Sequence, residues 1–178
     1  MEGIVSLLDD THYKLTEQLW AELEQRFGVR GIYVTPYPHF SYHVAGKYDV
    51  DKLDKALEWA ARTSASFTVL TSGIGVFTGP EPVIYIPAVR TLALTELHGR
   101  LWQALEGIGN EPWAYYHPTN WLPHITIGFD DITPANLPAI MQFLSEQQFN
   151  WEIRVDNLAH IALEGDEQKL RKTFKFDE

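Results

Sequence analysis

Two short stretches, Pro38-His39-Phe40-Ser41-Tyr42 and Pro123-His124-Ile125-Thr126-Ile127, repeat one pattern 85 residues apart: proline, histidine, an apolar residue, a hydroxyl, then a β-former. Side chains alternate between the two faces of a strand. His39, Ser41 and His43 are therefore expected on one face, with Phe40, Tyr42 and Val44 on the other. In the second copy His124, Thr126 and Gly128 oppose Ile125, Ile127 and Phe129. The apolar face has a core to cover. The other face carries an imidazole and a hydroxyl about 6.5–7 Å apart along the strand, close enough to serve one phosphate.

The rest of the chain repeats with the motif. Residues 3–8 read as a strand, and Asp10-Thr11 opens a helix in which Leu15, Leu19, Leu23 and Phe27 recur every four residues up to Gly28. Residues 29–35 and 38–45 read as extended. Asp49 is placed to cap a second helix with Leu53, Leu57 and Ala60 inward, and residues 67–70 form a strand before a glycine-rich turn region. The order then restarts. Residues 83–87 are a strand, Thr91 caps a helix carrying Leu94, Leu97, Leu101 and Leu105, and an aromatic loop leads to a strand over 121–129. Thr133-Pro134 marks a fourth helix start, since proline suits the first helical turn. Strands over 151–155, 158–163 and 169–176 close the chain. The second-helix starts, Asp49 and Pro134, are again 85 residues apart, while Thr11 and Thr91 are 80 apart, so five extra residues in the aromatic loop reconcile the offsets. The expectation is an α+β chain of two βαβαβ units, about 1–80 and 81–178, forming one bilobal domain that brings the histidine strands together about a pseudo-twofold axis.

Composition removes several function classes. With no cysteine there is no disulfide, thiolate nucleophile or cysteine zinc site. The net charge of −10 disfavours long RNA or DNA, whose binding draws on neutralised phosphates, but leaves one phosphate in a local pocket unaffected. The first residues are too acidic for a signal peptide and no segment approaches the roughly 20 apolar residues of a membrane span. A soluble cytoplasmic protein, monomeric by default, is the expectation.

The stretches 38–46 and 122–129 resemble the two His-x-Thr/Ser motifs of the 2H phosphoesterase superfamily, which includes 2′-5′ RNA ligase-like proteins and cyclic nucleotide phosphodiesterases. The segments 75–77 and 83–87, with Leu97-His98, resemble the hairpin and helix between those motifs. The resemblance implies antiparallel sheets around a central cleft and cofactor-free, metal-independent chemistry on 2′,3′-cyclic or 2′-5′ phosphodiesters of nucleotides or RNA ends. It places His39 and His124 as the acid-base pair and Ser41 and Thr126 as phosphate ligands. Ser41 stands where threonine is commoner, keeping the hydroxyl.

The chemistry is sound apart from the resemblance. Histidine titrates nearest neutrality, so a pair can hold one neutral and one protonated ring. Hydroxyls can donate to non-bridging oxygens as charge builds. A lone strand histidine is more often a surface or core residue than a catalyst; the duplication sets His39 and His124 apart. Ser41 and Thr126 rise only with them, since both are also ordinary strand residues. His43 shares the expected cleft face, and Tyr115 and Tyr116 are candidate stacking contacts, whereas Trp121 fits buried packing better. His12, His98, His117 and His160 have no repeated partner and receive no role. A non-catalytic binder of nucleotides or RNA ends is the alternative. A metal enzyme built on His39, His43 and His124 ranks lower, because strand spacing chelates poorly and no carboxylate cluster accompanies it.

Overall fold

Three side chains start three of the helices. In the computed structural model, which describes residues 1–177, Asp9, Asp49 and Thr91 each accept a hydrogen bond from the backbone N–H three residues on, satisfying a donor that the first helical turn leaves free. Gly28, at φ 71°, ends the first helix in the left-handed region that a side chain disfavours.

In chain order the elements are β1 (Glu2–Leu7), α1 (Asp10–Phe27), β2 (His39–Ala45), β3 (Lys47–Tyr48), α2 (Val50–Arg62), β4 (Phe67–Leu70), β5 (Gly75–Phe77) and β6 (Val83–Pro87). There follow α3 (Leu92–Ala104), β7 (Gly109–Asn110), β8 (His124–Gly128), α4 (Leu137–Ser145), β9 (Glu152–Val155), β10 (Asn157–Glu164) and β11 (Glu167–Lys175). All named pairings are antiparallel. One sheet runs β11-β10-β1-β2, another β5-β6-β8, and β4 pairs with β9. A bridge from Thr71 to Ala88 ties β4 to the end of β6, so β4 and β5 act as one kinked strand alongside it.

Each lobe thus presents four strand positions, with β2 and β8 at equivalent edges. The sheets do not divide at residue 80. β10 and β11 complete the sheet of β1 and β2, while β4 and β5 join β6 and β8. The helices cross over as well, α1 lying against β8 and α3 against β2. One continuous core results, with Phe40, Tyr42, Ile125 and Ile127 meeting Leu53, Leu57, Leu94, Leu97 and Leu101, all essentially without exposure. Among the described residues no helix is long and apolar enough to cross a membrane.

Several sequence expectations need correction. Leu15 is 41% exposed; the buried stripe of α1 is Thr16, Leu19, Trp20 and Leu23, because a strict four-residue repeat drifts around a helix of 3.6 residues per turn. Residues 29–35 are not extended but contain a 3₁₀ turn, Gly31–Val34. The Asp131 carboxylate accepts from the N–H groups of Arg30 (2.5 Å) and Gly31 (2.9 Å), folding this loop onto the second lobe. Thr133-Pro134 does not begin α4. Thr133 and Asn136 bond each other's backbone N–H through their side chains, and the helix starts after that local turn. The strand expected from Trp121 begins only at His124, after Pro123, which has no N–H to give.

Gly31 sits where the lobes touch, and a Cβ there would lie 2.1 Å from the Phe129 carbonyl oxygen. Gly31→Ala and Asp131→Ala should each lower stability, the latter by about 1–3 kcal/mol for the stranded donors. Urea unfolding measures this, and unchanged midpoints would show that the loop does not fasten the lobes.

Candidate active site

His39 and His124 open β2 and β8, each behind a proline, and those two strands lie close together across the lobe boundary. The two rings are held in the same way. Nδ1 of His39 lies 2.5 Å from the carbonyl oxygen of Tyr37, and Nδ1 of His124 lies 2.7 Å from that of Leu122. A carbonyl can only accept, so each Nδ1 carries the hydrogen and each Nε2 keeps its lone pair for a ligand.

The hydroxyl partners follow the same geometry. His39 stands opposite Leu7 and Ser41 opposite Val5, while His124 stands opposite Pro87 and Thr126 opposite Tyr85. In both strands the register then slips by one residue: Ile4 faces His43, and Ile84 faces Gly128. Each strand carries a β-bulge immediately after its hydroxyl; the extra residue, Tyr42 or Ile127, keeps to the core side and the alternation reverses beyond it. His39, Ser41, His124 and Thr126 are half-buried and line one cavity.

His43 is the exception among the expected residues. The bulge reverses the alternation after Ser41, so Val44 lines the cavity and His43 turns away. It is 3% exposed, its ring 2.6 Å from the Tyr48 hydroxyl and against Trp102, so this candidate for substrate contact does not line the cavity.

Burial pushes His39 down to about 4; the bond to Tyr37 opposes this and repulsion from His124 adds to it. Burial also lowers His124, against its bond to Leu122. Both rings are therefore predominantly neutral at pH 7. His43 and His98 are likewise pushed down to about 4 by burial.

Two cavities meet at His124 and Thr126. One, about 690 Å³, is walled by Phe77, Trp113, Tyr115, Tyr116, Leu122 and Asn120; the other, about 380 Å³, contains His39 and Ser41. Tyr115 is 80% exposed at the rim, while Tyr116 lies deeper, its phenol facing the Ser41 hydroxyl. Among the described residues no lysine or arginine side chain lines either cavity. Among the described residues no three or more histidine or carboxylate groups cluster as a metal site.

Residues to which the sequence assigned no role support this arrangement. His98 Nε2–H reaches the carbonyls of Tyr42 and Tyr116, both at 3.0 Å, and its ring stacks on Trp121 at 3.8 Å. Trp121, buried as expected, donates Nε1–H to the carbonyl of Ser41 at 2.9 Å. Its own carbonyl accepts from Arg90, which also holds Pro118. The signal for His98 was present: it shares the inward face of α3 with Leu94, Leu97 and Leu101, where a polar group must find partners. Phe77 and Tyr85 stack on each other at 4.1 Å and meet the His124 ring edge-on at 5.1 and 5.2 Å.

A family model described as the 2′-5′ RNA ligase superfamily matches residues 11–167. No curated protein matches the sequence. Among solved structures, the protein TT0787 of Thermus thermophilus aligns with a TM-score of 0.70 at 16% identity, covering 98% of this chain and 97% of that one. E. coli LigT complexed with 3′-AMP aligns at 0.60 and 15%, covering 99% and 98%. E. coli LigT complexed with NADP+ aligns at 0.58 and 16%, covering 99% and 97%. At these identities the likeness establishes the fold, an α+β architecture of antiparallel sheets.

The buried imidazoles tie stability to pH. His39, His43 and His98 are neutral in the fold down to about 4 but take up protons near 6.5 once unfolded. The unfolded chain therefore gains protons that the native state refuses, and stability falls as pH drops from 6.5 to 4. Asp9 and Asp156, lowered from 3.8, lose their contribution only further down. Urea midpoints should decline across the upper window, and His43→Gln should flatten part of that slope; a midpoint constant from pH 6.5 to 4 would contradict the burial of these rings.

Proposed function

Because the chain belongs to the 2′-5′ RNA ligase superfamily, we propose that it is a metal-independent phosphoesterase that uses His39 and His124 on 2′,3′-cyclic or 2′-5′ phosphodiesters of nucleotides or RNA ends. The observation that carries this reading is the duplicated tether. Both Nδ1 atoms are committed to backbone carbonyls, so both Nε2 atoms are left beside a hydroxyl in one cavity.

The chemistry follows from that placement. His39, the ring held down to about 4, takes a proton from the attacking water. His124, protonated once a phosphodiester anion sits beside it, gives a proton to the departing ribose oxygen. Ser41 and Thr126 donate to the non-bridging oxygens as negative charge accumulates. With no lysine or arginine along the cavity, the proton on the histidine pair supplies the charge that the anion needs, so ligand binding takes up a proton. In the reverse direction the two rings exchange roles. A base would lie on the Tyr115 and Tyr116 side, where aromatic faces are available. The net charge of −10 favours a small ligand over a long nucleic acid. In E. coli LigT the crystallised ligands are 3′-AMP, ATP and NADP+, all small nucleotides, which supports the same choice.

Hydrolysis of 2′,3′-cyclic nucleotides in the presence of chelator is the direct test. His39→Ala and His124→Ala should each lose about 10²–10⁴-fold in kcat, and Ser41→Ala and Thr126→Ala about 10–10³-fold. Turnover retained in both histidine variants removes the reading; tight nucleotide binding without turnover over a broad panel favours the non-catalytic alternative. The pH profile gives an independent check. One ring must be protonated and one neutral, and both are lowered from 6.5 in the free protein, so kcat/KM should already be falling by pH 6.5. A plateau of kcat/KM extending to pH 8 would contradict the assignment.

A further inference from the structure

The two lobes repeat their chemistry but not their walls. At matching register positions Val5 faces Ser41, whereas Tyr85 faces Thr126. Beyond His124 the surface is aromatic, with Phe77 and Tyr85 stacked on each other and edge-on to the ring. Beyond His39 it is mainly aliphatic: Ile32, Val34, Val44, Ile161 and Leu163 line the second cavity, with Thr35 and Gln168 as uncharged polar members. Gly3 leaves room between two of them, since a Cβ there would meet Ile161 at 3.4 Å and Val44 at 3.8 Å. Glu2, the one carboxylate among the described residues of this cavity, lies 2.9 Å from His160 Nε2, and no described lysine or arginine side chain lines the cavity to offset it. Leu163, at the rim, is 44% exposed, an apolar surface continuous with the histidine pair.

The phosphate of an acyclic phosphodiester held at the histidines has two ester oxygens to extend from. The aromatic side accepts a base. A further phosphate on the other side would sit against hydrocarbon and the Glu2 carboxylate, with no lysine or arginine side chain of the lining to meet it, which is unfavourable. We propose, resting on the phosphoesterase reading above, that the substrate's second arm is an uncharged aliphatic group seated in the cavity between Val44 and Leu163. Among acyclic substrates of that reading, the class this favours is a nucleoside phosphodiester of an aliphatic alcohol over a stretch of oligonucleotide.

Calorimetric titration of the full chain with alkyl esters of 2′-deoxyadenosine 3′-phosphate tests this without relying on turnover. Affinity should rise about two- to fourfold per methylene, so the hexyl ester should bind at least tenfold more tightly than the methyl ester. A six-carbon chain ending in phosphate should bind no better than methyl. Leu163→Lys should reverse the order of the hexyl and phosphate-ended esters. A series in which the methyl ester binds and chain length has no effect overturns this inference and leaves the phosphoesterase reading standing. Absence of binding by every ester, together with no turnover of cyclic nucleotides, overturns both.

Discussion

One extra residue in each motif strand decides what the cleft contains. Tyr42 in β2 and Ile127 in β8 are the inserted members of two β-bulges placed identically behind Ser41 and Thr126. Before each bulge the strand presents imidazole and hydroxyl to the cavity. After it, the alternation is reversed, and the inserted side chain joins the core at essentially no exposure. Bulges commonly re-aim side chains beside functional sites. Here the same device operates twice, so the two halves of the site are matched by construction rather than by independent packing.

The matched halves are held by exchange. α1 follows β1 but rests on β8, α3 follows β6 but rests on β2, and a single hydrophobic core runs beneath both sheets. Opening the lobes would expose that core, so the distance between the two histidines is set by the most buried part of the molecule. Polar ties refine it: Asp131 fastens the Arg30–Gly31 amides, and His98 bridges the carbonyls of Tyr42 and Tyr116. Three imidazoles are pushed down to about 4 in the process, two of them, His43 and His98, outside the lining of the ligand cavity. In this fold a lowered imidazole pKa marks burial as readily as chemistry.

What could be read from the sequence was whatever strict periodicity governs. His39 with Ser41 and His124 with Thr126 fall on one face because they precede the bulges, and Tyr42 falls in the core as alternation requires. His43 departs from the expected face because alternation does not survive a bulge that no residue type announces. Asp49 and Thr91 cap helices where they were expected to, since capping is local. Thr133 did not, because it and Asn136 accept each other's backbone N–H in a local turn, and the helix begins only at Leu137. The loop over 29–35 was illegible for a different reason: its shape depends on Asp131, a hundred residues away. His98 was legible in principle, as a polar residue on an apolar helix face.

The sheet that carries His39 has a consequence for how the protein is made. β1 and β2 can pair early in synthesis, but their sheet gains its other two strands only from residues 157–175. Until that segment leaves the ribosome, the far edge of β1 is an unpaired row of amides open to any passing strand. Such long-range closure is slow and exposes aggregation-prone edges. Nascent chains stalled before residue 157 would therefore be clients for chaperones, and synthesis of this protein should be sensitive to delays late in translation.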